Sequence, residues 1–406
     1  MSPIKKDVAV LCQYFYPEHV SSATLPTELA VGLKERGVNI EVICGNPNEY
    51  IDEKQTFLSN IHEGVPIHRV KYSTFNNKSK FGRIFNFFSL FIAMLSKIFY
   101  LRNFNKIIVY SNPPILPLIP YVLKKVFGIE FIFVAFDIYP DNALKVDGIK
   151  EGGLIHKLMN FINRRVYKNA ESIVLLGREM KDYVLKNSIA VTAENLTVIP
   201  NWFTGEDMLN KNEVINEEFI KIRNDFSLVV SYSGNMGSFQ DLETILKGIS
   251  RFKNSNDVFF LFSGHGNKLN MVKEYLVSND IKNAKVFGFL KGQDYTDFLE
   301  VSDLCLVSLE KGIEGLGVPS KTYGYLAAGK PVLSIMKHET DIAQDLKEFE
   351  CGINIIQGDI DGFVSAVNIY KDNSDRRYED SKNSKVLYET KYTKDINVQK
   401  YYGLLS

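Results

Sequence analysis

The length, composition and charge of this chain predict a two-domain globular protein. At 406 residues the chain exceeds what one hydrophobic core usually supports. A hydrophobic content of 45% with 24% charged residues excludes a disordered chain. A formal net charge of zero excludes a global electrostatic field that would attract nucleic acid.

The first half of the chain alternates short apolar runs with amphipathic segments. DVAVLCQYF predicts a buried strand, SSATLPTELAVGLKERGV a helix that stops at glycine, and NIEVICG the next strand. KIIVYS, FIFVAF, ESIVLLG and LTVIPNWF continue the series. This repetition predicts a parallel sheet with helices on both faces, in a first domain over residues 1–204.

The loop after the first predicted strand, QYFYPEHVSSATLP, carries polar side chains. Glu18, His19, Ser21 and Ser22 would lie at the carboxyl edge of the sheet and face a second domain. Ser21 or Ser22 could instead cap the following helix. The sequence leaves both roles open.

The segment at residues 84–101, IFNFFSLFIAMLSKIFYL, is unusually apolar. Asn86, Ser89, Ser96 and Lys97 weaken its interpretation as a transmembrane span. The two main alternatives are a core helix of the first domain and an interfacial helix whose aromatic side chains enter lipid.

A wide interval around this segment contains no acidic residue. No Asp or Glu occurs between Glu63 and Glu130, which predicts a basic face and favours the interfacial helix. The basic residues of the interval include Arg69, Lys71, Lys78, Lys80, Arg83, Lys97, Arg102, Lys106, Lys124 and Lys125.

The strand FIFVAF runs into DIYPDNALKV, which places Asp137 at the strand end and Asp141 after Pro140. A carboxylate at such an edge can meet a sugar hydroxyl or act as a base. We favour this role for Asp137, and helix capping over catalysis for Asp141.

A polar stretch, TGEDMLNKNEVINEEF, predicts a linker, after which the alternation restarts. SLVVSYSG, DVFFLFSG, AKVFGF, DLCLVSL, PVLSI and GINII predict six strands of a second doubly wound domain over residues 205–385, which shares a cleft with the first. The amphipathic end KYTKDINVQKYYGLL predicts a helix within residues 386–406 that crosses back to the first domain.

Four loops of the second half combine glycine with polar or aromatic residues. Near Lys321, the stretch EGLGVPSKTYG predicts a helix start that aims its positive end at an anion. Each loop alone also fits a tight turn, but together they predict a nucleotide crevice. The other loop residues are Gly234 and Gly237 in SGNMG, Gly264 and His265 in SGHGN, and Phe287 and Phe289 around Gly288.

Several common chemistries find no support in the sequence. There is no Walker loop and no Gly-x-Gly-x-x-Gly, which disfavours ATP hydrolysis and NAD chemistry. The six histidines lack metal-ligand spacing, and Asp359 with Asp361 predicts a helix cap. The cysteines lack Cys-x-x-Cys spacing, and MSPIKKDVAVLC resembles no signal peptide, so we expect reduced thiols in a cytoplasmic protein.

At these residues the sequence resembles the family-four retaining glycosyltransferases with the GT-B fold. Within that family it resembles a bacterial surface-polysaccharide branch that includes N-acetylfucosaminyl and colanic-acid transferases. The resemblance covers essentially the whole chain and rests on YFYPEHVSSA with TELAVGLKERGVNIEVICG, FDIYPD, VIPNWF, SGNMGSFQDLETIL and GLGVPSKTYGYLAAGKPVL. It implies an α/β protein of two Rossmann-like doubly wound domains facing a cleft, with the donor in the C-terminal domain and the acceptor against the N-terminal domain.

The resemblance implies transfer without a metal or a cofactor, since the nucleotide sugar is the substrate. Backbone amides, a helix N-terminus and basic side chains would stabilise the leaving diphosphate. We predict catalytic roles for Asp137 and Lys321. The predicted donor-binding residues are Gly234, Asn235, Gly237, Gly264, His265, Phe287, Phe289, Glu314, Gly317, Ser320, Lys321 and Thr322, and the predicted acceptor-binding residues are Glu18, His19, Ser21, Ser22 and Asp141.

The sequence departs from the family pattern at the ribose site. Many members carry two glutamates here, but Gly324 stands at the second position and Glu314 lies out of register with the first. Asn235 and Gln240 stand where the first donor loop usually has Arg and Lys. Ribose recognition is thus unassigned, and Lys321 is the clearest cation for the diphosphate.

The leading prediction is a retaining transferase that moves a sugar, with a UDP-linked N-acetylated amino sugar favoured, to a polyprenyl-diphosphate-linked saccharide. It would serve capsule, O-antigen or exopolysaccharide synthesis, docked to the inner membrane face through residues 81–101. Two alternatives stay open: a nucleotide-sugar epimerase, and a non-catalytic partner suggested by the missing glutamate. The sequence names neither the sugar nor its carrier.

Overall fold

A computed structural model describes residues 6–48, 59–76, 79–145, 149–188, 191–205, 209 and 213–405. Parts of the predicted linker (206–208 and 210–212), residues 1–5 of the segment that resembles no signal peptide, and Lys78 lie outside these ranges. The chain divides into two compact units. The first comprises Met1–Thr204, Gly315–Gly317 and Lys394–Ser406, and the second comprises Gly205–Glu314 and Val318–Thr393.

The first unit contains an eight-stranded sheet in the order β3-β4-β2-β1-β5-β6-β7-β8. Every neighbouring pair is parallel except β3 and β4. Its strands are β1 (Lys6–Cys12), β2 (Ile40–Gly45), β3 (Ile61–His62), β4 (Val65–Val70), β5 (Phe104–Tyr110), β6 (Glu130–Ala135), β7 (Ser172–Leu175) and β8 (Leu196–Val198). Its helices are α1 (Ser21–Glu35), α2 (Lys80–Leu95), α3 (Ile98–Leu101), α4 (Leu118–Phe127), α5 (Asp141–Lys145), α6 (Leu154–Asn169) and α7 (Arg178–Asn187), with a 3-10 turn at Ala193–Asn195.

The short hairpin of β3 and β4 was not predicted from the sequence. Glu63 and Gly64, which join the two strands, have φ values of 46° and 76°. Two consecutive residues with positive φ are typical of the tight turns that join antiparallel strands, and glycine accepts this conformation without strain.

The second unit contains six parallel strands in the order β11-β10-β9-β12-β13-β14. The six strands predicted for this half are confirmed. They are β9 (Leu228–Asn235), β10 (Val258–His265), β11 (Ala284–Phe287), β12 (Leu304–Ser308), β13 (Val332–Ile335) and β14 (Gly352–Ile355). The helices are α8 (Glu217–Asp225), α9 (Leu242–Ser250), α10 (Leu269–Ser278), α11 (Gln293–Val301), α12 (Lys321–Ala327), α13 (Asp341–Glu348), α14 (Ile360–Asp372) and α15 (Ser374–Leu387), followed by a π-helical turn at Tyr388–Tyr392.

Buried, uninterrupted apolar strands explain why both sheets are parallel. Residues 8–12 of β1 and 228–233 of β9 are buried without a break, as expected for strands covered on both faces. Asp359 caps α14, where its side chain accepts a hydrogen bond from the backbone N–H of Gly362 at 2.8 Å. The predicted capping role of Asp359 is confirmed.

The last helix, α16 (Lys394–Gly403), belongs to the first unit. Its Val398 and Tyr401 are part of the core of that unit, and Val398 packs on Gly32 of α1. The helix begins eight residues later than the start of the predicted 386–406 segment. The preceding residues pack in the second unit instead, where Tyr392 lies 4.8 Å from Tyr323 between ring centroids.

The apolar segment at residues 84–101 forms α2 and α3, and one face of α2 is buried. Gly82, Asn86, Leu90 and Met94 recur every four residues on this face. Asn86 fixes the helix, since its side chain accepts from the N–H of Phe75 at 2.9 Å and donates to the carbonyl of Phe75 at 2.8 Å. Across the described ranges, none of the helices combines the length and the hydropathy that crossing a bilayer requires.

Candidate functional site

The loops after β9 and β10 pack backbone against backbone at the carboxyl edge of the second sheet. Gly234 and Gly264 are register partners on the adjacent strands, with φ values of 117° and 139°. A Cβ atom on Gly264 would lie 1.9 Å from the carbonyl oxygen of Gly234, and one on Gly266 would lie 2.4 Å from that of Met236. Glycine is therefore required at Gly264 and Gly266 by space as well as by conformation.

Lys321, the first residue of α12, lies directly over this glycine edge. A Cβ atom on Gly234 would lie 3.4 Å from the Cε atom of Lys321. The Nζ atom lies 3.5 Å from the centroid of the Tyr232 ring. Within the described part of the chain this Nζ atom is buried without a hydrogen-bond partner.

Burial sets the electrostatics of this lysine. The pKa of Lys321 lies well below its usual range because burial removes water from the ammonium group. The π face of Tyr232 is a weak substitute for a carboxylate, since a cation–π contact contributes about 0.5–2 kcal/mol. A buried lysine without a partner could hold an anion, because an anion in contact would restore its charge.

The helix that carries Lys321 is anchored to β9 by a tyrosine. The hydroxyl of Tyr325 accepts a hydrogen bond from the N–H of Ser233 at 2.7 Å and donates one to the carbonyl of Ser233 at 3.1 Å. Ser320 is the exposed N-cap residue of α12, and its side chain makes no capping hydrogen bond. Thr322 is different: it is buried, and both its N–H and its hydroxyl donate to the carbonyl of Pro319. This placement argues against the predicted donor contact of Thr322.

Two other lysines near these loops are paired with carboxylates. The Nζ atom of Lys337 lies 3.4 Å from Glu314, and that of Lys268 lies 3.1 Å from Glu310. Glu314 also accepts a hydrogen bond from Gln357 at 3.1 Å. Lys321 differs from both, because its Nζ atom is buried and has no hydrogen-bond partner among the described residues.

The loop after β9 presents amide groups at Asn235 and Gln240. Asn235 is exposed, and its backbone carbonyl accepts a hydrogen bond from the hydroxyl of Tyr232 at 2.8 Å. The side chain of Gln240 accepts a hydrogen bond from the N–H of Gly237 at 2.9 Å.

Two of the predicted donor-binding residues lie together and a third does not. The rings of His265 and Phe289 are 5.5 Å apart, and Phe289 is exposed. Phe287 packs instead on Phe219 of α8, with a centroid distance of 5.0 Å. Phe287 therefore packs against the core of the unit, whereas His265 and Phe289 are exposed.

In the first unit, Asp137 lies at the end of β6 and lines a cavity of ≈570 Å³. Its carboxylate accepts a hydrogen bond from the side chain of Asn142 at 2.6 Å. Gly317, predicted as a donor contact, belongs to this unit, and a Cβ atom on it would lie 3.6 Å from the carboxylate of Asp137. The cavity is lined by Gln13, Tyr14, Val20, Ser22, Arg83, Ile84, Phe87, Asn112, Pro114, Asp137, Tyr139, Asn142, Ala143, Ile149, Ile155 and Met159.

Of the predicted acceptor residues, Ser22 is the one that lines this cavity. Glu18 is buried. Burial of the Cys12 thiol, followed by smaller effects of Cys44 and Glu18, raises the pKa of that thiol. His19 and Ser21 are exposed outside the cavity lining. The alternative that a serine caps α1 is wrong, because the N-cap residue is Val20 and makes no side-chain capping bond.

Asp141 occupies a separate, smaller cavity. It is the first residue of α5, and its carboxylate is hydrogen-bonded to Tyr183. This interaction, with burial as the larger cause, raises the pKa of Tyr183 above its usual range. Asp141 and Asp137 therefore do not share one site.

Sequence reasoning missed two residues that the structure places in these sites. Tyr232 lies two positions before Gly234 on β9, so strand alternation already put both on one face. Gln13 is 3% exposed and lines the large cavity, and its Oε1 atom has no hydrogen-bond partner among the described residues. No sequence motif identifies Gln13, because its place in the cavity lining depends on how the ends of different strands come together in the fold.

The chain is similar in sequence to proteins that are named glycosyltransferases. No family model matches the chain. It is 28% identical over 276 residues to the probable glycosyltransferase WbjE of Pseudomonas aeruginosa, covering 67% of each chain. It is 23% identical over 212 residues to the putative colanic acid biosynthesis glycosyl transferase WcaI of Escherichia coli K12, covering 51% of each chain.

Among solved structures, the chain is similar to HepE of Anabaena in complex with UDP and glucose. The TM-score is 0.70 with 11% identity, over 98% of this chain and 99% of that chain. At this identity the likeness shows the fold, which is the α/β GT-B fold with two parallel-sheet domains. Together with the two sequence relatives, it supports a glycosyltransferase.

Proposed function

From the GT-B fold and from its similarity to two proteins named glycosyltransferases, we propose that this chain is a metal-independent retaining transferase. It moves a sugar from a nucleoside diphosphate to a lipid-linked saccharide during bacterial surface-polysaccharide synthesis. The observation that carries the proposal is Lys321, a buried lysine over the glycine edge of β9 and β10 whose Nζ atom has no hydrogen-bond partner among the described residues. The colanic acid assignment in the name of WcaI supports the polysaccharide context.

The donor diphosphate binds where backbone and cation converge. Gly234 and Gly264 let the main chain approach the phosphates, and Lys321 supplies the positive charge. As the bond between the anomeric carbon and the phosphate oxygen breaks, negative charge grows on the leaving diphosphate. Lys321 stabilises that charge more than it stabilises the bound donor, so it lowers the barrier.

UDP is the favoured carrier, and the support for it is the UDP in the HepE complex. The base lies against the exposed faces of His265 and Phe289. An N-acetylated amino sugar is the favoured transferred group, on the resemblance of the sequence to N-acetylfucosaminyl transferases.

The acceptor is held in the first unit near Asp137. Asn142 fixes one carboxylate oxygen of Asp137 at 2.6 Å, and the carboxylate accepts a hydrogen bond from the attacking sugar hydroxyl. The hydroxyl oxygen bonds to the anomeric carbon as the bond from that carbon to the phosphate oxygen breaks, and the hydroxyl proton passes to the carboxylate of Asp137.

The first unit docks to the cytoplasmic face of the membrane through α2 and α3. The surface opposite the buried face of α2 exposes Phe81, Phe85, Phe88 and Ile92. Aromatic side chains next to Lys/Arg are typical of helices that lie in the membrane interface. The buried face of α2 fits the core-helix interpretation of this segment, and the exposed face fits the interfacial-helix interpretation.

A thermal-shift panel with UDP, GDP, dTDP and CMP tests the donor site. We expect one nucleoside diphosphate to raise the Tm of the native protein. At a ligand concentration of a hundred times Kd, binding adds about 2.7 kcal/mol to the free energy of unfolding. Lys321→Met should abolish this shift. The same variant should unfold at an equal or higher temperature without ligand, because it removes a buried amine without a hydrogen-bond partner.

Lys282→Ala is the matched control, since Lys282 is highly exposed in the same unit. It should keep the full ligand-induced shift. If no nucleotide changes the Tm of the native protein, the proposal of a transferase is wrong, and the alternative of a non-catalytic partner is favoured instead. If Lys321→Met keeps the shift, the phosphate site lies elsewhere.

A further inference from the structure

Tyr232 lies where β9 meets the helix that carries Lys321, and its side chain is fully buried. The two parts of this side chain make different contacts. The Nζ atom of Lys321 lies 3.5 Å from the centroid of the ring. The hydroxyl donates a hydrogen bond to the carbonyl of Asn235 at 2.8 Å. One side chain therefore contacts both the lysine and the turn that follows β9.

The end of the lysine side chain lies over two residues on the same face of β9. Tyr232 and Gly234 are two positions apart, so strand alternation puts both on this face. A Cβ atom on Gly234 would lie 3.4 Å from the Cε atom of Lys321 and 3.6 Å from its Nζ atom. The ring of Tyr232 and the bare backbone of Gly234 thus form the surface that the lysine covers.

A second tyrosine fixes the helix α12 on β9. The hydroxyl of Tyr325 makes two hydrogen bonds to the backbone of Ser233, at 2.7 and 3.1 Å. Ser233 is the residue between Tyr232 and Gly234, so α12 is held at the point that the lysine covers. The backbone of Lys321 cannot slide along β9 without breaking these bonds. The position of its amine then depends on the contact with Tyr232.

The ring is a different kind of partner from those of two nearby lysines. Lys268 contacts Glu310 and Lys337 contacts Glu314, and a carboxylate would compete with a diphosphate for an ammonium group. An aromatic face attracts an ammonium group less strongly than a charge-assisted hydrogen bond does. The ring also leaves the hydrogens of the Lys321 amine without an acceptor in the part of the chain that the structure describes. A diphosphate can therefore displace the ring as the partner of this amine.

We propose that Tyr232 is a positioning residue of the donor site. Its ring holds the Lys321 amine over Gly234 until a nucleoside diphosphate binds, and the amine then moves from the ring to the diphosphate. Its hydroxyl holds the turn at Asn235 in both states. The inference rests on the proposed donor site, because it names the residue that prepares this site for the diphosphate.

NMR of the full chain, labelled with carbon-13 at the lysine Cε position, tests the contact without requiring turnover. The ring of Tyr232 shields nuclei above its face, so the Cε protons of Lys321 should resonate upfield of those of exposed lysines. Lys321→Met identifies this signal by its loss. Addition of UDP should move the signal downfield, because the amine leaves the ring. A native protein without the upfield signal, or one that keeps it when UDP is bound, would overturn the proposal.

Two substitutions separate the ring of Tyr232 from its hydroxyl, and isothermal titration with UDP measures their effects. Tyr232→Phe keeps the ring, so it should keep the upfield signal and weaken UDP binding by no more than about threefold. Tyr232→Leu keeps a buried apolar side chain without a ring, so it should lose the upfield signal and bind UDP about tenfold more weakly. The UDP-induced movement in the native protein needs no substitution, so the proposal stays testable even where Tyr232→Leu does not fold.

Tyr370→Leu is the matched control for the loss of a buried tyrosine. Tyr370 is also fully buried in the second unit, and its hydroxyl donates to Asp380 at 2.5 Å. This variant should lower the Tm, as Tyr232→Leu does, but keep the Lys321 signal and the affinity for UDP.

The outcomes separate this inference from the proposed transferase. If Tyr232→Leu binds UDP as tightly as the native protein does, the role of Tyr232 is wrong and the donor site stands. If the native protein binds none of the nucleotides of the thermal-shift panel, both proposals are overturned.

Discussion

The side chain of Lys321 is buried, which is unfavourable for a charged group, yet the proposed chemistry needs its positive charge. Its Nζ atom is buried over the ring of Tyr232, and burial lowers its pKa well below the usual range. A bound diphosphate would restore the charged form, because an anion in contact raises the pKa of an ammonium group. Ligand binding and protonation of Lys321 are therefore linked.

This linkage predicts how donor binding depends on pH. As pH rises through the lowered pKa of free Lys321, the unliganded protein loses the proton while the complex keeps it. The affinity for UDP should therefore fall as pH rises, and binding should take up a proton. Titrations of UDP at about pH 8, in buffers with different ionisation enthalpies, count that proton and avoid the second phosphate pKa of about 6.

Lys321→Arg is the control for the pH prediction. Arginine keeps its proton in proteins, so the variant should bind UDP with no proton uptake at Lys321 and with a flatter pH profile. Equal proton uptake by the native protein and by this variant would assign the titration to another group.

At the scale of secondary-structure elements, α9 and α14 of the second unit pack so closely that a larger residue at their contact would not fit. Gly248 of α9 lies against the ring of Phe363 on α14, and a Cβ atom there would lie 2.2 Å from that ring. Phe363 is fully buried, so the ring has little room to move.

Gly248→Ala should therefore destabilise the protein by about 1–3 kcal/mol through overpacking. Helix propensity alone predicts the opposite, since alanine is favoured over glycine by ~1 kcal/mol inside a helix. Gly403→Ala on α16, where no atom lies within 4 Å of the added Cβ, is the control. Urea unfolding of both variants measures the difference, and a stabilised Gly248→Ala would show that α14 moves away at no cost.

At the scale of the whole molecule, the exposed apolar residues concentrate on helices that lack acidic residues. Phe87 lines the cavity and Phe91 is half-buried, whereas Phe81, Phe85 and Phe88 are exposed. The exposed three are therefore the residues with which to test membrane docking.

The triple change Phe81→Ser, Phe85→Ser and Phe88→Ser should reduce binding to phosphatidylglycerol vesicles by about tenfold or more in a sedimentation assay. Native binding should weaken in high salt, because the basic side chains act through screened charges. The matched control replaces Val277, Ile356 and Ile369, which are exposed in the second unit, with Ser and should bind as the native protein does. Equal vesicle binding by both triple variants would exclude α2 as the docking helix.

The sequence alone determined the α/β class, the six strands of the second sheet and the Asp359 cap, because these depend on local periodicity and on side-chain bonds to nearby backbone. It also brought out Lys321 and the glycines of the loops, since backbone freedom beside a lysine is visible in a single stretch. It did not find the β3–β4 hairpin, whose turn at Glu63 and Gly64 is too short for a pattern of residue types.

Only the tertiary structure decided which of these residues meet. It separated Phe287 from Phe289, and Asp141 from Asp137, although each pair is close in sequence. It also brought Gln13 into one cavity with residues of α2 and α6. The physical reason is that parallel strands bring distant segments to one sheet edge, while the direction and burial of each side chain depend on packing that no local stretch contains.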